Sequence, residues 1–237
     1  MKKVTFINPK GGVGKSTLAL LTSIALASRF TQCEVLMLDL DHQATSSRSL
    51  KRFENSRLRI YDSSEFILES GAPNKSYITS FISEANNDHG EFLVVDTPAR
   101  ISARDYPFLS ICDFIFVPTS CADADIYATH DFLNQLVDGG IFAHAKANQK
   151  PCIVLLPNQV VSMKDISELR VAFQNFPALF GKPLPYSLQM RKAFRHDSDD
   201  KNLIKVLKYT RRYFDWMNAL IAGGLPLPTR VNSLYQL

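Results

Sequence analysis

Val4-Thr-Phe-Ile-Asn-Pro-Lys-Gly-Gly-Val-Gly-Lys-Ser-Thr17 runs directly into Leu18-Ala-Leu-Leu-Thr-Ser-Ile-Ala-Leu-Ala27. A β-forming apolar run, a glycine-rich turn and a segment of helical period give the strand–loop–helix context that a phosphate-binding loop requires. Gly11, Gly12 and Gly14 let the main chain, Val13 included, turn its N–H groups inward around phosphate oxygens. The helix that starts near Lys15 aims its positive end at the same place. Lys15 is placed to pair with the β and γ phosphates of ATP, the Ser16 hydroxyl to coordinate Mg²⁺, and Thr17 completes the loop. The pattern G-x-x-x-x-G-K-[ST] is broken only at its first glycine, where Pro9 stands.

Further along, Glu34-Val-Leu-Met-Leu-Asp-Leu-Asp-His-Gln43 and Glu91-Phe-Leu-Val-Val-Asp-Thr-Pro98 are apolar runs that end in aspartates. In a parallel α/β sheet, ligands sit at the carboxyl ends of the strands. Side-chain alternation puts Asp39 and Asp41 on one strand face, where they could supply a Mg²⁺ contact and a group to hold attacking water. Asp96 ends a Walker B-type strand and would hold Mg²⁺ through a water. Lysine, serine and aspartate in this order supply the positioning and charge neutralisation that phosphoryl transfer needs, without a covalent nucleophile.

Short β-rich runs at Val4–Asn8, Glu34–Leu40, Phe92–Asp96, Phe114–Pro118 and Cys152–Pro157, with a weaker one at Leu58–Tyr61, alternate with helical-period segments. Those segments lie at Lys15–Arg29, Tyr77–Ala85, Ala124–Asp138, Asp165–Phe176 and Asn202–Ala222. The order predicts an α/β fold: a single P-loop NTPase domain over residues 1–223 with a mostly parallel central sheet and helices on both faces. Ser46–Lys75 reads as a polar excursion from this core, and residues 224–237, with Pro226 and Pro228, as an extended tail. The first strand begins so near Met1 that no separate N-terminal DNA-reading domain is expected before it.

With 46% hydrophobic and 21% charged residues and no long apolar run, the chain is expected to be soluble, and an N-terminal apolar stretch that runs into the glycine loop within a few residues, too short for a signal-peptide core, predicts a cytoplasmic location. Cys33, Cys112, Cys121 and Cys152 form no CxxC pair, so neither a zinc nor an iron–sulfur site is expected. The formal charge of +4 is mild, but the cations are not spread evenly. On a helical wheel Lys201, Lys205, Lys208 and Arg212 fall within about 60° of one another, with Arg211 beside them. Leu203, Val206, Leu207, Phe214 and Met217 fill the opposite side. Such a stripe is either an ordinary solvated helix face or a surface for the phosphate backbone of DNA, which Arg191, Lys192 and Arg195 could extend.

Lys10, the second lysine of the loop, sharpens the reading. Lys10-Gly-Gly-Val-Gly-Lys-Ser16, preceded by Asn8-Pro9, resembles the signature of the ParA/MinD family of deviant Walker-box ATPases, whose loops read KGGxGK[ST]. The resemblance implies that Lys10 acts in trans, on the phosphates of a partner subunit, in a homodimer that forms around two Mg·ATP. The family's D-x-D-P-Q motif maps onto Asp39 and Asp41, with water-orienting carried by Asp41 and His42 replacing the usual proline. Asp96-Thr97-Pro98 matches a family motif in which a second proline is common where Ala99 stands. Phe114-Ile-Phe-Val-Pro-Thr119 looks like the next family strand, and Leu155-Leu-Pro-Asn158 like the adenine-contacting segment, with Asn158 facing the base.

By the same resemblance the chain is closest to short ParA-type partition ATPases, nucleoid-associated through non-specific DNA binding and reset by hydrolysis that a small centromere-binding adaptor stimulates. The alternatives are a MinD-like membrane-cycling regulator, a conjugative-transfer ATPase, an iron–sulfur carrier and an ATP-dependent ligase of small molecules. The tail is a poor amphipathic anchor, so no stable membrane anchor is expected.

Overall fold

Strands whose odd and even positions are both apolar must be covered on both faces, and the computed structural model obeys this. It describes residues 1–41, 57–66, 68, 74–85, 91–138, 151–193 and 200–223. His42, most of the excursion expected at Ser46–Lys75, the tail expected at 224–237, and the side chains of Arg191, Lys192 and Arg195 lie outside what it describes.

The strands are β1 (Lys2–Phe6), β2 (Val35–Asp39), β3 (Leu58–Tyr61), β4 (Phe92–Asp96), β5 (Phe114–Thr119), β6 (Cys152–Val160), β7 (Leu179–Phe180) and β8 (Leu184–Pro185). They form an eight-stranded sheet ordered β3-β2-β4-β1-β5-β6-β7, with β8 also on β6, and every pairing is parallel. The helices are α1 (Lys15–Arg29), α2 (Lys75–Glu84), α3 (Asp123–Asp138), α4 (Met163–Phe173), α5 (Leu188–Ala193) and α6 (Asp200–Ile221). The sheet and the main helices match the sequence expectation, with ends shifted by a few residues. The weak run at Leu58–Tyr61 is the edge strand β3, whereas β7, β8 and α5 were not foreseen, being too short to show a period.

Alternation along the strands builds two cores. Val4, Phe6, Val35, Met37, Phe92, Val94, Phe114, Phe116, Val154 and Leu156 face α1 and α6. Leu36, Leu38, Leu93, Val95, Ile115, Val117, Ile153 and Leu155 face α2, α3 and α4. Each fully buried side chain of this size contributes about 1.5–3 kcal/mol relative to exposure. The parity continues to the strand ends: Asp39 and Asp96, register partners across β2 and β4, fall on the α1 side of the sheet, where the loop before α1 lies. All four cysteines are free thiols, and burial raises the Cys112 thiol above its usual range.

Among the described residues, no helix is long and apolar enough to cross a membrane.

Candidate nucleotide-binding site

The glycine loop joins β1 to α1. Gly12 and Gly14 have φ of 81° and 97°, the left-handed region that only glycine enters without strain. A Cβ on Gly14 would also collide with the Asn158 amide. Gly14 is the N-cap of α1, no side chain caps that end, and its first turn carries no acidic residue. A capping side chain is worth about 0.5–2 kcal/mol, and leaving it out keeps the first N–H groups of α1 open to an anion.

Pro9, the departure from the phosphate-loop pattern, fits because its position needs neither a positive φ nor an N–H. Its carbonyl accepts from the Arg100 N–H at 2.7 Å. Asn8, fully buried, braces the entry: its Nδ2 donates to the Pro118 carbonyl at 2.9 Å and to Thr129 Oγ1 at 2.8 Å, and its Oδ1 accepts from the Lys10 N–H at 2.9 Å. These bonds tie the loop to β5 and α3.

The far side of the loop is held by an irregularity in β6. This strand runs on past Pro157, and its pairing with β8 shifts register between Asn158 and Val160. Gln159 has φ 59°, a conformation that costs a non-glycine residue roughly 1–3 kcal/mol. In a regular strand neighbouring side chains point to opposite faces. Here Asn158 Nδ2 donates to the Val13 carbonyl at 2.7 Å and Gln159 Nε2 to the Gly12 carbonyl at 2.6 Å, so the bulge turns both amides onto one loop. Asn158, expected at the adenine, thus lines the cleft with its Nδ2 engaged by the loop backbone. Gln159 and Asn8 were not assigned roles from sequence. An Asn before Pro-Lys was visible there, but nothing local announced the bulge.

Lys15 is buried, and its Nζ donates to the Lys10 carbonyl at 2.9 Å. Burial lowers its pKa, opposed by Asp96 and Asp41. Lys10 points its ammonium outward to Asp125 at the start of α3, with Nζ 3.6 Å from Oδ1. Asp41 does not continue the β2 alternation. The strand ends at Asp39, the Leu40 N–H donates to the Asp96 carbonyl at 3.0 Å, and the Asp41 N–H folds back to Asp39 Oδ1 at 3.0 Å. Asp41 nevertheless reaches the same cleft, a space of about 400 Å³ that Gly11, Lys15, Ser16, Thr17, Asn158 and Tyr186 also line.

Asp96 carries the strongest electrostatic signal. It is fully buried, and neither carboxylate oxygen has a partner in hydrogen-bonding geometry, the Ser16 hydroxyl lying close enough only to pull on its pKa. Burial first, then the Asp39 carboxylate, push its pKa well above the usual range, against the pull of Ser16 and Lys15. A buried oxygen without a partner is costly until a ligand arrives. Hydroxyl and carboxylate oxygens suit a hard cation, so Ser16, Asp39 and Asp96 fit Mg²⁺. Among the described residues no group of three or more His, Cys, Asp or Glu could hold a metal ion alone. The cation would therefore share its shell with phosphate oxygens and water, and it would neutralise charge on the β and γ phosphates.

The raised pKa sets a pH test. Asp96 binds its proton more tightly folded than unfolded, so its contribution to stability is present below about pH 4, its unfolded value, and is lost as pH rises through the folded one. Asp96→Asn, measured without nucleotide and in chelator, is therefore expected to melt at least ~2 °C above the wild type at pH 7. The gap should close toward pH 4. Equal melting temperatures at pH 7 would mean that the buried carboxylate carries no strain.

The sequence-predicted basic residues stand elsewhere. Lys201, Lys205, Lys208, Arg211 and Arg212 are all exposed on α6, while Leu203, Val206, Phe214 and Met217 are buried on its other side. Arg211 pairs with Asp215, Nε to Oδ2 at 3.7 Å, and Lys182 Nζ donates to the Arg212 carbonyl at 3.5 Å.

A parallel sheet with a glycine loop between its central strand and the helix that follows, a lysine in that loop and paired aspartates at the neighbouring strand ends define a P-loop nucleotide-binding domain. The chain belongs to the CobQ/CobB/MinD/ParA nucleotide-binding domain family, whose sequence model matches residues 4–211. Among solved structures it is similar to the MinD cell division protein of Aquifex aeolicus, at 16% identity and a TM-score of 0.68 over 97% of this chain and 100% of that one. A Cyanothece McdA variant in complex with ATP is 14% identical, with a TM-score of 0.67 over 97% and 99% of the two chains. The pNOB8 ParA bound to nonspecific DNA is 17% identical, with a TM-score of 0.65 over 94% and 97%. No curated protein matches the sequence significantly.

Proposed function

We propose that this protein is a nucleotide-switched ATPase of the DNA-partition type: it dimerises around two Mg·ATP, binds DNA without sequence preference, and is reset by hydrolysis that an adaptor protein stimulates. The observation that carries the reading is the pairing of an outward-pointing loop lysine, Lys10, with a solvent-facing stripe of cations on α6. Lys10 turns its ammonium away from its own loop to Asp125, which supports a role on the phosphates of a second subunit.

Exposed apolar side chains support association of this protein, one of them, Tyr186, lining the cleft itself. Tyr127, Val161, Met163 and Tyr186, all close in sequence to residues of the site, are 72%, 82%, 77% and 44% exposed. Large apolar side chains left in water around one site mark an interaction surface.

In the proposed cycle the backbone N–H groups of Gly11–Ser16 and the Lys15 ammonium hold the phosphates, and the Asn158–Gln159 pair keeps the loop open to them. Asp41 orients a water for attack on the γ-phosphorus. Lys10 of a second copy adds a cation as negative charge grows on the transferred group. Asn158 and Tyr186, which line the cleft, are the residues offered to the base. The structurally similar pNOB8 ParA is bound to nonspecific DNA, which supports reading the α6 stripe as a DNA surface.

The test is binding of a random-sequence duplex, with no nucleotide, with ADP and with a non-hydrolysable ATP analogue, at two salt concentrations, alongside the molecular mass in each state. The expected result is a dimer and DNA binding only with the analogue, weakening steeply with salt. Lys205→Glu with Lys208→Glu should weaken binding by about tenfold or more, since each phosphate contact contributes a slope near 0.9 in log affinity against log salt. ATP turnover should stay unchanged. Absence of DNA binding in every state would overturn the reading.

A further inference from the structure

The last turn of α1 meets the middle of α6 around one carboxylate. Arg29 places Nη1 3.1 Å from Asp215 Oδ1, and Arg211, one turn before Asp215 on α6, places Nε 3.7 Å from Oδ2. These three side chains also line a cleft of about 310 Å³ between the helices, with Leu207 and Phe214 on its apolar side and Asn218 in its wall. Asn218 is 2% exposed and its Oδ1 has no hydrogen-bond partner. An asparagine amide offers an acceptor on one side and two donors on the other. The unmet atom is an acceptor, so the groups of this cleft that can meet a phosphate oxygen are the two guanidiniums.

Exposed ion pairs add only about 0–1 kcal/mol to stability, so Asp215 does little for the fold. Its effect is electrostatic: it draws one nitrogen of each of two guanidinium groups to its two oxygens and cancels part of their charge. Guanidinium forks match the geometry of phosphate oxygens as well as that of carboxylates. Lys208 and Arg212, on the same stretch of α6, are exposed, so the cleft continues the cationic stripe onto α1.

We infer that Arg29 and Arg211 form a backbone-phosphate site that widens the DNA surface from α6 onto α1, and that Asp215 occupies this site and limits DNA affinity until a phosphate replaces it. The inference rests on the DNA-binding reading above. It adds a residue on a different helix, and it names the carboxylate that sets the strength of binding.

The experiment uses the full chain with the non-hydrolysable ATP analogue and a random-sequence duplex, titrated across a fourfold range of salt. Arg29→Gln with Arg211→Gln is expected to remove two phosphate contacts. Its affinity should then change about tenfold less than that of the wild type across the fourfold range, because two contacts carry a slope of about 1.8. Asp215→Asn, which keeps the shape and removes the charge, should bind more tightly than the wild type, with a salt dependence at least as steep. Melting temperatures within about 2 °C of wild type establish that the variants are folded.

If the double arginine variant keeps wild-type affinity and slope while Lys205→Glu with Lys208→Glu weakens binding, the cleft is not a phosphate site and the DNA reading stands. Unchanged or weaker binding by Asp215→Asn overturns the limiting role of the carboxylate. If the wild type binds no DNA in any state, the reading and the inference fall together.

Discussion

Lys15→Ala is expected to abolish ATP turnover, with a loss of about 10²–10³-fold or more from the removal of one preorganised electrostatic contact to the transferring group. Lys15 is buried to 6% exposure, and its Nζ is held on the Lys10 carbonyl at 2.9 Å, so on the proposed reading the ammonium would meet bound phosphates with little reorganisation. It is also the cation that opposes the buried carboxylate of Asp96. Its loss therefore acts twice, weakening nucleotide binding and leaving Asp96 without its main counter-charge. Titration with a fluorescent ATP analogue and a phosphate-release assay read the two effects separately. Turnover within a few-fold of wild type would remove Lys15 from the mechanism.

Asp41→Ala separates binding from chemistry. Asp41 lines the cleft beside the glycine loop, with its N–H tied back to Asp39 Oδ1 at 3.0 Å, so the carboxylate sits just beyond the end of β2 rather than on it. A group that only orients water acts in the transition state and barely in the ground state, so its loss lowers kcat and leaves binding nearly intact. Turnover is expected to fall by about 10²-fold while ATP affinity changes less than about threefold. The same variant should hold the ATP-bound state for longer, visible as more dimer and more DNA binding at saturating ATP. Wild-type turnover would reject the water-positioning role. A loss of ATP affinity equal to the loss of turnover would make Asp41 a binding residue instead.

The phosphate loop was legible because its chemistry is local. Three glycines, a lysine and a hydroxyl within a few residues must form a turn that aims N–H groups at an anion, whatever the rest of the chain does. The sheet was legible for a similar reason, since strands apolar at both parities can exist only between two layers of helices. The basic face of α6 followed from helical period alone.

Other features depend on what arrives from far along the chain. Asn158 and Gln159 both brace the loop, across sequence separations of 145 and 147 residues, only because a bulge in β6 breaks the alternation that a sequence reading must assume. The orphaned oxygens of Asp96 come from register with Asp39 and from complete burial, neither of which an apolar run ending in aspartate discloses. Arg29 closes the last turn of one helix and Asp215 sits mid-way along another; their meeting is a fact of how α1 packs on α6. Sequence by itself determined the class of fold, the phosphate-binding loop and which residues could carry charge, because short-range geometry dictates these. Tertiary structure decided which amides hold the loop, which carboxylate is left strained and which cations are already paired, because burial and long-range contact exist only once the chain has closed on itself.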